Sequence, residues 1–334
     1  MKELLLELSE IPGVSGYEDE VREKIKEKLE GVVDEVRVDR AGNLIGLKKG
    51  EGKGSIMIAT HMDEIGLMVT KIEKGFLRFT HTGFDLRVLP GQEVVIHGKK
   101  KIHGVVGAIP PHLTGKKREP YKSEDLFIDP CMPEEEVEHW IRPGDVVSIK
   151  RKPVELKGGK IAGKALDNRA SCTVLIEILK SLKTHPFDVY GVFTVQEEET
   201  GLGAVTGTYS ITPTCAVAMD VTHAKTQDAP FLTFAPGKGP VIGVGPNFHP
   251  FMVQKLKETA EKEEIPYQTE PIPGPSGTDA WSIQISREGV PTGLVSLPLK
   301  YMHTPVEVID IKDMERAKRL LVRFIESLEE VKIV

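Results

Sequence analysis

The chain has 334 residues, 40% hydrophobic and 28% charged, with a net charge of -6. That length exceeds the ~250–300 residues at which a single core stops growing, so two domains, or one large domain carrying an insertion, are expected. The mild acidity offers no basic field for nucleic acid, and no apolar run approaches the ~20 residues of a membrane span, so neither is expected as a partner.

Residues Met1 to Leu6 read as an acidic amphipathic helix rather than a signal peptide, which points to the cytoplasm. Cys131, Cys172 and Cys215 are odd in number and lack metal-type spacing, which argues against a disulfide framework or a thiolate zinc site. Cys172 and Cys215 read as core residues. After a first helix near Leu4 to Leu8, Ser15-Gly16-Tyr17-Glu18 reads as a capping box opening a helix from Glu18 to Glu30. Val32 to Val38 and Asn43 to Leu47 read as paired strands around Arg40-Ala41-Gly42. Ser55 to Thr60 is a continuous apolar run of the buried parallel type, delivering His61-Met62-Asp63 at its end.

From about Val69 to Ala162 the texture changes to short alternating stretches separated by Gly and Pro, with one acidic helix near Pro133 to Trp140. This predicts a small β-barrel or twisted sandwich at 69–162, inserted into a catalytic domain of 1–68 and 163–334. Gly115 to Asp129 reads as an exposed loop. Beyond it lie a helix from Arg169 to Leu182, the strand Asp188 to Val195 running into Glu197-Glu198-Glu199, and a strand Thr214 to Met219 ending in Asp220. A helix from Pro250 to Glu264, a short helix at Thr278 and a strand Thr292 to Leu299 ahead of His303 follow. Asp310 caps a final helix with Ile311, Met314, Leu321, Phe324 and Leu328 on one face. Alternating strands and helices predict an α/β fold: a mostly parallel sheet flanked by helices.

His61, Asp167, the Glu197/Glu198 pair, Asp220 and His303 thus stand at or near the ends of five segments. In open α/β sheets the ligand site lies outside the carboxyl ends of the strands, where such residues can converge. Imidazoles and carboxylates without thiolate suit a catalytic Zn²⁺, Co²⁺ or Mn²⁺. Adjacent strand residues face opposite sides, so one of Glu197 and Glu198 is expected to ligate and the other to reach a bound water. Asp63, two residues beyond His61, is placed to accept from the other ring nitrogen of that imidazole. Taken singly, His81, His97, His103, His112, His139 and His185 read as structural. His223 borders the cleft without a role, Asp279 reads first as a helix cap, and Glu199 as solvated or supporting.

The segments Thr60-His61-Met62-Asp63-Glu64-Ile65-Gly66, Leu166-Asp167-Asn168-Arg169, Thr194-Val195-Gln196-Glu197-Glu198, Met219-Asp220-Val221-Thr222-His223, Gly277-Thr278-Asp279-Ala280 and Tyr301-Met302-His303-Thr304-Pro305-Val306-Glu307-Val308, in that order, resemble the TET-type (tetrahedral) aminopeptidases. These are cytosolic metallopeptidases of the cocatalytic two-metal class that includes the glutamyl aminopeptidases. The resemblance implies that Asp167 bridges two divalent ions, Zn or Co, that Glu198 and His303 complete one site, and that His61 and Asp220 complete the other. It implies Glu197 as general base, Asp63 behind His61, short peptides as substrates, and an inserted β domain that dimerises within a dodecamer. The chain departs from the family after the glutamate pair, where Glu199-Thr200-Gly201 stands in place of Val-Gly. A deacylase or carboxypeptidase on the same scaffold is the alternative. It would need a cation for the substrate carboxylate, for which Arg169 and Arg87 are the candidates.

Overall fold

The computed structural model describes residues 1–114, 120–227, 229 and 231–332. Strands β1 (Glu35–Val38), β2 (Leu44–Lys48) and β3 (Ser55–His61) lead into β4 (Leu67–Glu73), β5 (Phe76–His81), β6 (Glu93–His97), β7 (Lys101–Ala108), β8 (Leu126–Asp129) and β9 (Val146–Ile149). These last six close into a barrel in the order β4-β5-β8-β7-β6-β9. The chain continues through β10 (Val154–Leu156), β11 (Lys160–Gly163), β12 (Asp188–Thr194), β13 (Cys215–His223), β14 (Val241–Val244), β15 (Gln268–Pro271), β16 (Thr292–Lys300) and β17 (Glu307–Asp310). With β1 to β3 they form an 11-stranded mixed sheet, ordered β1-β2-β12-β3-β13-β16-β17-β11-β10, with β14 and β15 branching from β16.

The four central strands β12, β3, β13 and β16 are mutually parallel, so their carboxyl ends open on one edge. Their apolar runs are explained by burial on both faces: from Cys215 to Thr222 every residue of β13 is buried. One face packs against the helices Lys2–Glu10, Leu166–Ser181 and Ile311–Glu326 through Leu5, Leu8, Leu175, Leu179, Leu321 and Phe324. The other carries the helices Leu202–Ile211 and Asp279–Gln284 through Ala204, Ala280 and Ile283. The last helix starts as its sequence implies, the Asp310 carboxylate accepting from the Lys312 N–H at 3.0 Å, a cap typically worth ~1 kcal/mol. Met314, Leu321 and Phe324 of its apolar face are fully buried, Ile311 is partly buried, and Leu328, also buried, lies just past the helix, which ends at Glu326. The barrel has its own core around Leu77, Val94, Ile96, Ile128 and Val147. An α/β sheet between helices with a small closed barrel is the architecture that the strand texture implies.

Three local expectations meet a different outcome. Ser15-Gly16-Tyr17-Glu18 forms no capping box: the helix Asp19–Leu29 begins without a side-chain cap, because the Ser15 hydroxyl donates to Asp63 Oδ2 at 2.5 Å and Glu18 Oε1 accepts from the Gly16 and Gln196 amides. In the stretch read as an exposed loop, residues 115–119 lie outside the described residues, and Leu126–Asp129 is barrel strand β8 with Leu126 and Ile128 buried. Asp220 lies within β13, which runs on to His223, rather than at a strand end. The barrel strands span Leu67 to Ile149, while β10 and β11, inside the stretch 69–162, pair antiparallel on the large sheet's edge, β11 against β17.

The outgoing crossing from sheet to barrel is pinned to the residue that follows β11. Lys164 Nζ donates to Glu64 Oε2 at 2.6 Å, with each side chain only 4% exposed, and Glu64 Oε1 also accepts from the Gly13 amide at 2.9 Å.

Candidate metal centre and active site

The carboxyl edge of the parallel strands gathers the acidic and imidazole side chains. His61 ends β3 and stands in register with Thr194, the last residue of β12, so the glutamates just beyond β12 fall beside it. Gln196 adopts a left-handed conformation (φ 56°) that turns the chain out of the strand. The strand alternation expected for Glu197 and Glu198 therefore does not apply; both carboxylates turn inward, toward different histidines. Glu197 Oε2 lies 3.9 Å from His61 Nε2, and Glu198 Oε2 lies 3.2 Å from His303 Nε2.

Asp167 sits between the two imidazoles. Its Oδ1 is 3.2 Å from His61 Nε2 and its Oδ2 is 3.6 Å from His303 Nε2. It is held there by an irregular entry to the helix Leu166–Ser181, in which Asp167 and Asn168 have non-helical backbone angles and the peptide between them is cis. Asn168 Nδ2 donates to the Met219 carbonyl at 2.9 Å, fixing this entry to β13 next to Asp220. Asp220 Oδ1 is 3.7 Å from His61 Nε2. Ligand atoms of His61, Asp167 and Glu198 all lie within 4.8 Å of one another.

The supporting contacts are as specific. Asp63 Oδ1 stands 3.4 Å from His61 Nδ1, facing the ring nitrogen that points away from the cluster. The same carboxylate accepts from the Glu197 amide at 3.0 Å and the Glu198 amide at 3.2 Å. The two amides before these donate to Asn43 Oδ1 (Val195, 3.1 Å) and Glu18 Oε1 (Gln196, 3.1 Å). Four consecutive N–H groups that have left the sheet ladder are thus satisfied by side-chain oxygens, as buried backbone donors must be. A Cβ on Gly203 would come within 2.4 Å of the Val195 carbonyl, so only glycine lets the next helix pack under this turn. On the opposite side Glu307, 2% exposed, accepts from the His303 amide (3.0 Å) and the Asp167 amide (3.1 Å) with its two oxygens.

Sequence reasoning missed the roles of Glu18, Asn43 and Glu307 because each accepts from a backbone amide far away in the chain, Gln196, Val195 and Asp167 respectively; the proximity of Glu307 to His303 was the one signal. Glu199 is exposed and accepts from Thr82 Oγ1, away from the cluster. Asp279 follows the true cap, Thr278, whose hydroxyl accepts from the Ala280 amide; Asp279 itself is buried and accepts from Thr194 Oγ1 at 2.6 Å. Of the two candidate cations, Arg169 is fully buried and donates to the Leu8 and Ile11 carbonyls, and Arg87 pairs with Asp85 on the surface.

The cluster contains more acid than its two imidazoles can neutralise. Burial pushes the Glu197 carboxyl up to about 10, with Asp220, Asp279 and Glu198 adding to the rise against His61. Burial likewise raises Glu198 and Asp220, and carries Asp279 to about 7. Asp167 goes the other way: burial would raise it, but the two histidines hold it below the ordinary carboxylate range. Hydrogen bonds to Asp167 and Glu198 lift His303 to about 11, and His61 is raised by Asp167, Asp220 and Asp63 in spite of burial. Protons thus do what a cation would otherwise do. Glu198 Oε1 is buried with no hydrogen-bond partner among the described residues, an open ligand position of the sort a metal fills. A cavity of about 390 Å³ opens over the cluster, lined further by Thr222, His223, Glu270, Ile272, Ser296 and Met302.

Comparison with known proteins places this arrangement. A family profile, the M42 glutamyl aminopeptidases, matches residues 42–320. A lysyl aminopeptidase of Pyrococcus furiosus is 38% identical, over 98% of this chain and 97% of that protein. Among solved structures, the aminopeptidase APDkam598 from the archaeon Desulfurococcus kamchatkensis superposes with a TM-score of 0.91 at 37% identity, covering 99% of this chain and 98% of that one. The Pyrococcus horikoshii TET1 peptidase, described as assembling into a tetrahedron or a large octahedral shell, gives 0.88 at 33% identity, over 98% and 99% of the two chains. The likeness covers the chain nearly end to end, and it makes this chain a member of the M42 glutamyl aminopeptidase family, metallopeptidases that hydrolyse peptides.

Proposed function

We propose that the chain removes the first residue of short peptides with two divalent cations, zinc or cobalt, held on either side of Asp167. In this reading His61 and Asp220 hold one cation and Glu198 and His303 the other. The observation that supports it is the division of the Asp167 carboxylate, one oxygen toward each histidine. The unpartnered Glu198 Oε1 and the mixed imidazole and carboxylate donor set fit such ions. When bound, the pair would supply Lewis acidity for the scissile carbonyl and make water a usable nucleophile near neutral pH. Glu197 takes the proton of the attacking water on its carboxylate and returns it to the leaving amine. Asp63 keeps the His61 ring oriented and, through the Glu197 and Glu198 amides, keeps both glutamates aimed inward.

A carboxypeptidase or N-acyl deacylase needs a cation to receive the substrate carboxylate, and no Lys or Arg lines the cavity among the described residues. We assign self-association to the barrel, the expected dimerisation unit, and propose a homo-oligomer of the tetrahedral, dodecameric kind. Sedimentation velocity giving a stable monomer would remove that assignment. An exposed free thiol at Cys131 suits the reducing cytoplasm in which we place the enzyme. The central test is metal-stripped protein, reloaded with Zn²⁺, Co²⁺ or Mn²⁺, on free and N-acetylated peptides. Metal-dependent release of the first residue from free peptides alone is the expected result. Cleavage of acetylated peptides, or release from the carboxyl end, would move the function to the deacylase or carboxypeptidase.

A further inference from the structure

We propose that the cavity over the cluster selects substrates whose first side chain is basic, lysine or arginine, and that Glu270 is the residue that reads it. The inference rests on the aminopeptidase reading and adds the substrate class. Glu270 lies in β15, outside the segments that supply the metal cluster, yet it lines the same cavity. Among the described residues no basic side chain pairs with it: the Thr222 hydroxyl donates to Oε1 at 2.9 Å, which fixes the carboxylate and leaves its charge uncompensated. A half-buried carboxylate beside a cavity without Lys or Arg attracts a cation and repels an acid.

The walls suit the rest of such a side chain. Ile272, Leu294 and Met302 give apolar surface on which a lysine or arginine stem can lie while its charged head meets Glu270. Ser296, 1% exposed, has its hydroxyl unpartnered among the described residues and lines the same cavity. It stands in register with Asp220 and lines the cavity, where a substrate polar group can satisfy it. The pocket is therefore built against the acidic first residue that the family's name would suggest.

The test measures kcat/KM of the metal-loaded enzyme on the p-nitroanilides of lysine, arginine, leucine and glutamate, with Glu270→Gln and Glu270→Lys alongside and melting curves as a check on folding. Lysine and arginine should be preferred over leucine by at least ~10-fold, with glutamate slowest. Because Glu270 is only half-buried, losing its charge should lower the lysine and arginine values by ~10–50-fold, below the full penalty of breaking a buried pair. Leucine should stay within twofold, and Glu270→Lys should raise glutamate above lysine. Wild-type preference for glutamate or leucine, or an equal loss on all substrates in a folded Glu270→Gln protein, overturns the proposal while leaving the aminopeptidase standing. Failure to cleave any anilide removes both.

Discussion

Replacing Glu307 by glutamine tests whether the cluster is held from behind by its backbone. The carboxylate spans two loops, one oxygen accepting from the Asp167 amide and the other from the His303 amide. Glutamine keeps the shape and one acceptor, but its NH₂ must face one of those N–H groups. One hydrogen bond is lost and a buried donor faces a donor, at a cost of ~2–3 kcal/mol in a site this buried. If that cost falls on ligand placement, metal affinity drops by ~30–150-fold, near the range usual for residues behind metal ligands. Competition against a graded series of chelators, read by metal content after desalting, measures it directly. The melting temperature of the metal-free variant separates this effect from general unfolding. Affinity within twofold of wild type in a folded variant would refute the reasoning, since Asp167 and His303 would then hold their places without this strap.

Other outcomes follow from the same geometry. Glu197→Gln should retain both metal equivalents by elemental analysis and lose ~10²–10⁴-fold in kcat, the range for removing a general base; loss of metal instead would make Glu197 a ligand. In the metal-free protein His303 is raised from 6.5 to about 11, so its stabilisation is complete below pH 6.5 and is lost as pH rises toward 11; Glu197, raised from 4.5 to about 10, loses stability over pH 4.5 to 10 in the same direction. Metal-free protein should accordingly melt lower at pH 9 than at pH 6, while metal affinity should rise with pH as protons are displaced, and calorimetry at the two pH values checks both. Lys164→Met should cost ~3–5 kcal/mol in urea unfolding, because it leaves the Glu64 carboxylate buried and unpaired, and the double variant Glu64→Leu with Lys164→Met should recover much of that loss.

The readability of this chain divides along a physical line. Strands β3, β12, β13 and β16 announce themselves because burial on both faces demands unbroken apolar runs, and the residues that close those runs are the ones a parallel sheet brings to one edge. His61, Glu197, Glu198 and His303 were visible for that reason, whereas Asp220 lies inside β13 and Asp167 in the entry to the helix Leu166–Ser181, and those two were marked by the segments of the family resemblance. Ser15 and Glu18 match the spacing of a local cap yet spend their oxygens on Asp63, Gly16 and Gln196. Nothing within a few residues distinguishes the two uses. Glu270 carries no local pattern, since it acts across a cavity, and the role of Glu307 is only half local, since one of its two amides is His303 four residues back and the other is Asp167, far away in the chain. Strand β8 is hidden by brevity: four residues among charges give too little alternation to register.

The tie between Glu64 and Lys164 has a mechanical consequence. The barrel hangs from the catalytic sheet by two chain crossings, and this buried pair pins the outgoing one, three residues after His61, to the segment between β11 and Asp167, three residues before that ligand. It works as a strain relief does on a cable. Motion of the barrel carried along the outgoing connection meets the clasp before it reaches His61, and on the return it meets the β10-β11 edge of the sheet before it reaches Asp167. Both links between the barrel and the two ligands are thus anchored in the large sheet, one by an ion pair and one by a paired strand edge, ahead of His61 and Asp167.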